Sequence, residues 1–300
     1  LKPDGSVDGT HFQEHGARTM AGFIVDELIE HGVGLGDYKN KPDTDTDTDS
    51  EGDDPDKAIT LWIAGDSTVA NGSQPCPRGW GGKIDALFND KVTTVNSAVG
   101  GRSIRLWLYD VLSEMGSDGE CVINKDGFGN PIIQSRWTNM LDNMKQGDYL
   151  FIQFGINDGD RTCNRHVGSA EYERELGMMA DEAKARGVKP VFFTPVSMIS
   201  CSGSTAVGTR GFLTETYNAG RDYNVPIIDT HQLTVDLYNE RNFCPLPNGH
   251  SDISASTGGE VGAFFCDDHT HFDEPGAQAV AELVAKALED QGIGLASYLL

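Results

Sequence analysis

The sequence predicts an α/β fold, a three-layer α/β/α sandwich around a five-stranded, mostly parallel sheet of the flavodoxin-like kind. Two observations carry this. From residue 59 onward, five short and nearly continuous apolar runs alternate with longer amphipathic stretches. Runs that are apolar on both faces belong to strands covered on both sides, and strand–helix alternation gives a parallel sheet between helical layers. In such sheets ligands bind at the carboxyl ends of the strands, where Gly-, Asn- and Asp-rich turns cluster in this chain.

The first strand, 59–65 (ITLWIAG), runs into Gly65-Asp66-Ser67-Thr68. A serine on the turn leaving a buried strand presents its hydroxyl at the top of the sheet beside its own backbone N–H, as acyl transfer requires. A helix is expected over 79–89. The second strand, 92–98 (VTTVNSA), is followed by Val99-Gly100-Gly101-Arg102-Ser103, whose paired glycines let the backbone approach a ligand and point an N–H at it. After a helix over 135–145, the third strand, 148–155 (DYLFIQFG), leads into Gly155-Ile156-Asn157-Asp158, where the Asn amide is a neutral donor suited to a developing oxyanion. A helix over 169–186, a strand over 189–196 (KPVFFTPV), a helix over 212–223 and a strand over 225–230 (VPIIDT) complete the alternation. Before a last helix over 275–290 comes Asp267-Asp268-His269-Thr270-His271-Phe272. Each turn alone reads as an ordinary polar turn; their succession at strand ends reads as a site.

In that site His271 is the general base for Ser67, and Asp268, three residues earlier, folds back to fix the ring tautomer and stabilise the imidazolium. A metal held by Asp267, Asp268, His269 and His271 is the competing reading. No further ligand with metal-like spacing stands elsewhere in the chain, so no metal or organic cofactor is expected.

The net charge of −23, from 46 acidic and 23 basic side chains, sets a field that repels phosphate backbones and anionic headgroups, which excludes nucleic acid and membrane as partners. No apolar run is long enough to span a bilayer, and the amino-terminal residues lack a signal-peptide pattern. Six separated cysteines, Cys76, Cys121, Cys163, Cys201, Cys244 and Cys266, lie in stretches that read as loops and form no CxxC pair. They point to disulfides and an extracellular location; we take Cys76 with Cys121, Cys163 with Cys201 and Cys244 with Cys266 as the pairing.

Residues 8–38 align without gaps on 268–298, with 13 of 31 positions identical, including an Asp-x-Thr-His-Phe opening and a Gly-x-Gly-Leu ending. Residues 1–40 therefore read as the remnant of a preceding copy of the domain, 41–57 as an acidic linker, and 58–300 as the working domain, cut from a tandem multidomain parent. The remnant's helix, 15–31, carries Met20, Ile24 and Leu28 on one face and is expected to dock on the domain surface or exchange between chains. It also supplies a second acid–base pair, Asp8 and His11. Asp268 and His271 are preferred because they end an uninterrupted domain that Ser67 begins.

The blocks GDS, the glycine after the second strand, GxND and DxxH, in this order and spacing over 59–300, resemble the SGNH (GDSL-type) hydrolases. The phrases GDSTVA, GWGGKI, NSAVGGRS, GDYLFIQFGINDGD and DDHTHF are most similar to the rhamnogalacturonan acetylesterase branch of carbohydrate esterases. The resemblance implies Ser67 as nucleophile, an oxyanion hole of Ser67, Gly101 and Asn157, and a triad completed by Asp268 and His271. Asp66, Arg102, Asp158 and His269 are the candidate substrate contacts. Where that branch usually reads GHND this chain has Ile156, which removes a polar group beside the site.

The implied activity is removal of acetyl groups from plant cell-wall polysaccharide through an acyl-enzyme. Acetylated xylan or short-chain esters are the alternative substrates, and a non-catalytic carbohydrate-binding or scaffold repeat is the alternative of another class. An anionic pectin backbone requires a local positive rim from Arg102, Arg105, Arg161, Arg165 or Arg210, or a saline setting that screens the field. The loops lack the apolar lid of a lipid esterase.

Overall fold

The structure is a computed structural model that describes residues 56–72, 76–246, 259–266 and 268–300. The expected amino-terminal repeat copy with Asp8 and His11, the helix expected in it, all but the end of the expected linker, and Asp267 lie outside the described residues.

Five strands form one sheet: β1 (Ile59–Gly65), β2 (Val92–Asn96), β5 (Tyr149–Gln153), β6 (Lys189–Phe193) and β9 (Ile227–Ile228), in the order β2-β1-β5-β6-β9 with every neighbouring pair parallel. Strand alternation sorts the side chains. Leu61, Ile63, Phe151 and Phe193 pack on one face with Trp80, Val280, Val284 and Leu288. Trp62, Ala64, Leu150, Ile152 and Phe192 pack on the other with Trp107, Met140, Leu176 and Met179. These two apolar layers are the sandwich expected from the sequence.

The helical layers are α1 (Ile104–Leu108), α2 (Ser135–Asn143), α3 (Ser169–Lys184), α4 (Leu213–Asp222), α5 (Thr230–Glu240), α6 (Gly259–Phe264) and α7 (Glu274–Asp290). The last starts where the Asp273 side chain accepts the Glu274 N–H and Pro275 opens the helix, a position at which proline's missing N–H costs nothing. Two short hairpins, β3 (Val111–Met115) with β4 (Cys121–Ile123) and β7 (Cys201–Ser202) with β8 (Thr205–Ala206), lie outside the sheet.

Three expectations are corrected. The helix over 79–89 is instead two 3-10 turns, Trp80–Gly82 and Ile84–Leu87. Gly79 and Gly81 lie so close to the backbone of Val69 and Ala70 that a Cβ would fall within 2.5 Å of it, and this close packing shapes the segment in place of a regular helix. The cysteines pair as Cys76–Cys266, Cys121–Cys163 and Cys201–Cys244. Cys121 and Cys201 stand in strands, not loops. The pairing follows spatial neighbours: Cys76 comes just after the nucleophile turn and Cys266 just before the His271 loop, and both loops meet at the same end of the sheet.

Candidate active site

Gly65 ends β1 because a Cβ there would lie 2.9 Å from the Val69 side chain and 3.0 Å from the Gln153 carbonyl oxygen. The chain then turns sharply, the N–H of Ala70 reaching back to the Asp66 carbonyl at 3.0 Å. Ser67 sits on this turn with 9% of its surface exposed. Behind it a buried chain of hydrogen bonds fixes the turn. Trp80 Nε1 donates to Gln153 Oε1 (3.0 Å), Gln153 Nε2 to Thr68 Oγ1 (2.7 Å), and Thr68 Oγ1 to Asp66 Oδ1 (2.8 Å). Trp80 and Gln153 were not singled out from the sequence, and only their polar atoms beside a buried strand end could have flagged them.

The acid–base partners arrive on the loop before α7. His271 Nε2 lies 2.8 Å from Ser67 Oγ, and His271 Nδ1 lies 2.6 Å from Asp268 Oδ2. The other carboxylate oxygen of Asp268 accepts the backbone N–H of Thr270 (2.8 Å) and of His271 (2.7 Å). Acid and base thus form a self-contained unit. Partial burial acts to raise the pKa of Asp268, but the bonds from His271 and Thr270 outweigh it and hold the carboxyl well below the usual carboxylate range. The same Asp268 bond raises the pKa of His271 against the opposing effect of burial.

Two further loops converge on Ser67. The N–H groups of Ser97 and Val99 donate to the carbonyls of Ile63 and Gly65 (both 2.9 Å), which lays the glycine loop along the nucleophile turn. A Cβ on Gly100 would come within 3.5 Å of Ser67 Cβ. Gly101 has φ of +72°, a state that favours glycine. Asn157 follows β5 and gives one amide hydrogen to the Arg102 carbonyl at 3.0 Å, which leaves its second for an oxyanion. The glycine loop thus lies along the Ser67 turn, and Asn157 is tied to that loop through the Arg102 carbonyl.

The expected substrate contacts fare unevenly. Asp66 and Asp158 are fully buried and are not exposed to a substrate. Burial raises the pKa of Asp66, and it pushes Asp158 up to about 8. Arg102 is partly exposed, its guanidinium turned back 3.2 Å from the Gly100 carbonyl. His269 is partly buried on the catalytic loop and its carbonyl accepts the Ile199 N–H at 2.9 Å. Arg105 is no rim residue: it is buried among Glu120, Glu171 and Glu175 at 3.2, 2.8 and 2.9 Å.

A cleft of about 630 Å³ opens beside Asn157, walled by Ile156, Asp160, Arg165, Met198, Arg210 and Phe212. Arg165 is 45% exposed, 3.9 Å from Asp160, and its Nη2 lies 3.1 Å from where a Gly101 Cβ would stand. Arg210 donates from Nε to the Val196 carbonyl (2.9 Å) and from Nη2 to Thr270 Oγ1 (2.8 Å), bracing the catalytic loop from behind. Ile156 lines the cleft and packs against the core cluster of β1, β5 and α7.

Residues 61–284 match the model of a family described as GDSL-like lipase/acylhydrolase. The chain is 29% identical over 259 residues to the rhamnogalacturonan acetylesterase RhgT of Bacillus subtilis, covering 81% of this chain and 95% of that protein. It is 24% identical over 255 residues to a rhamnogalacturonan acetylesterase of Emericella nidulans, covering 79% of this chain and 88% of that one. Among solved structures it resembles the Bacillus subtilis protein YXIM with a TM-score of 0.59 at 22% identity, over 79% of this chain and 58% of that chain, a likeness of fold.

Proposed function

The chain belongs to the GDSL-like lipase/acylhydrolase family and is a carboxylic ester hydrolase, and on that premise we propose that it removes acetyl groups from an acetylated, acidic cell-wall polysaccharide of the rhamnogalacturonan type. The single observation that carries the chemistry is the unbroken line Ser67 Oγ, His271 Nε2, His271 Nδ1, Asp268 Oδ2, with separations of 2.8 and 2.6 Å. Ser67 attacks the acetyl carbonyl as His271 takes its proton. The ring then returns that proton to the departing sugar hydroxyl, leaving an acetyl-serine that water hydrolyses by the same exchange. The N–H groups of Ser67 and Gly101 and the Asn157 amide stabilise the tetrahedral oxyanion in both steps.

The polymer is argued from charge. On a chain of net charge −23, the cleft beside Asn157 nevertheless holds two guanidinium groups, Arg165 and Arg210, against one carboxylate, Asp160, and Arg102 lies close by. That local reversal of sign suits uronate carboxylates spaced along a pectic backbone. Two sequence relatives are named as rhamnogalacturonan acetylesterases. Three disulfides fit work in an oxidising, extracellular medium, and no helix among the described residues is long and apolar enough to cross a membrane.

Release of acetate from acetylated pectin fractions, from acetylated xylan and from p-nitrophenyl acetate, each compared with Ser67→Ala, tests the reading. Ser67→Ala should abolish turnover and leave thermal unfolding nearly unchanged. Equal rates on xylan and pectin would remove the polymer assignment; acetate release by Ser67→Ala would remove the mechanism.

A further inference from the structure

Asp158 is a buried acidic group that the mechanism leaves without a role. Its carboxylate is fully buried and faces backbone. Oδ1 accepts the N–H of Ile104 and Oδ2 the N–H of Gly155, both at 2.8 Å, and the Asp158 carbonyl accepts the N–H of Val167 at 3.1 Å. Ile104 is the first residue of α1, where backbone donors have no partner within the helix. The Ser103 side chain accepts the Leu106 N–H of that turn, and Asp158 accepts that of Ile104.

These two donors stand in different loops. Ile104 closes the loop that carries Gly101, and Gly155 opens the turn that carries Asn157. A third bond, from Asn157 Nδ2 to the Arg102 carbonyl at 3.0 Å, joins the same two loops nearer the nucleophile. The oxyanion donors come from separate strand ends, β2 and β5, that are not neighbours in the sheet, since β1 lies between them. Sheet hydrogen bonds therefore do not link the two loops directly.

We propose that Asp158 is a positioning residue that sets the spacing of the two oxyanion donors, the Gly101 N–H and the Asn157 amide, by holding both loops with one carboxyl group. The inference rests on the serine-esterase reading of the site. Charged or neutral, a carboxyl group offers lone pairs on both oxygens, one for each N–H. An asparagine offers one acceptor and turns an N–H toward the other donor, so one loop is released. Oxyanion donors act within a few tenths of an ångström, and misplacement of reacting groups by about 1 Å costs about 10²-fold in rate.

The test is a double-mutant cycle on p-nitrophenyl acetate hydrolysis with wild type, Asp158→Asn, Asn157→Ala and the pair, each with its thermal unfolding curve. Asp158→Asn should lower kcat by about 10²-fold with little change in KM, since the loss falls on the transition state. The pair should fall little below Asn157→Ala alone, because both changes disable one device. Additive losses, or a kcat for Asp158→Asn like that of wild type, overturn the inference. Should Asp158→Asn fail to fold, Ile104→Pro replaces it: proline is favoured at the first helical position and deletes the N–H given to Asp158. An unchanged kcat in that folded variant overturns the inference equally. Wild-type turnover no faster than Ser67→Ala overturns the esterase reading itself, an outcome distinct from an active wild type whose kcat ignores Asp158.

Discussion

Replacing Asn157 by alanine separates catalysis from stability. In the folded protein the Asn157 amide makes one half-buried bond, to the Arg102 carbonyl at 3.0 Å. Losing such a bond costs on the order of 1 kcal/mol. In a domain of this size that corresponds to a drop in Tm of about 2–4 °C. The second amide hydrogen is engaged only when the tetrahedral oxyanion forms, where a single donor contributes about 2.7–4 kcal/mol, or roughly 10²- to 10³-fold in kcat. The variant should therefore melt within a few degrees of wild type, hydrolyse p-nitrophenyl acetate about 10²- to 10³-fold more slowly, and keep its KM. Full activity, or a rate loss matched by a collapse in Tm, would refute the assignment of Asn157 to the oxyanion.

The rate should also follow the ionisation of His271, which acts as base only when neutral. The bond to Asp268 raises its pKa, so kcat/KM should fall as the pH drops through a value above the ordinary imidazole figure of about 6.5. Asp268→Asn removes the raising group: a pH–rate profile should show the acid limb moved to lower pH, with turnover down by about 10⁴-fold for want of the right tautomer. Arg165→Ala should raise KM for an acidic acetylated pectin and leave p-nitrophenyl acetate kinetics untouched, with the difference shrinking as salt is added. Replacing both Cys121 and Cys163 by serine removes a bridge across 42 residues. Loop-closure entropy assigns that bridge about 4 kcal/mol, readable in urea unfolding. Because the bridge anchors the segment carrying Arg165, the same variant should lose affinity for the polymer before it loses activity on the small ester.

The strands were legible because burial on both faces leaves a local mark: 59–65 was bounded as observed, and β2, β5 and β6 lie within their expected runs. Val225 and Pro226, by contrast, precede a β9 of only two residues. α5 escaped notice because Thr230, Thr234 and Val235 are β-branched and weak helix formers. Its start was nonetheless written in Asp229 and Gln232, whose side chain and N–H meet at 3.1 Å as an N-terminal cap. The hairpin of β3 and β4 stayed hidden because residues after Val111 in β3 are exposed and carry no apolar alternation. In the site, the turns announced the groups that face the reaction. Asp66 and Asp158 were misread as substrate contacts because an acidic residue beside a catalytic one looks alike in sequence whether it points out or in; only the fold shows which backbone N–H groups it serves.

The bridge between Cys76 and Cys266 spans 190 residues, and Arg78 donates its N–H to the Phe272 carbonyl at 2.8 Å beside it. The nucleophile turn and the acid–base loop are in this way the two sides of a clasp that closes almost the whole domain into a covalent ring. A protease that cuts one surface loop inside the ring yields a two-chain protein whose serine and histidine still belong to one molecule. No number of cuts inside the ring can separate them; a reductant, or a further cut between Ser67 and Cys76 or between Cys266 and His271, is required. Digestion followed by electrophoresis with and without reductant would display the ring directly, as a single band that divides only when the bridge is opened.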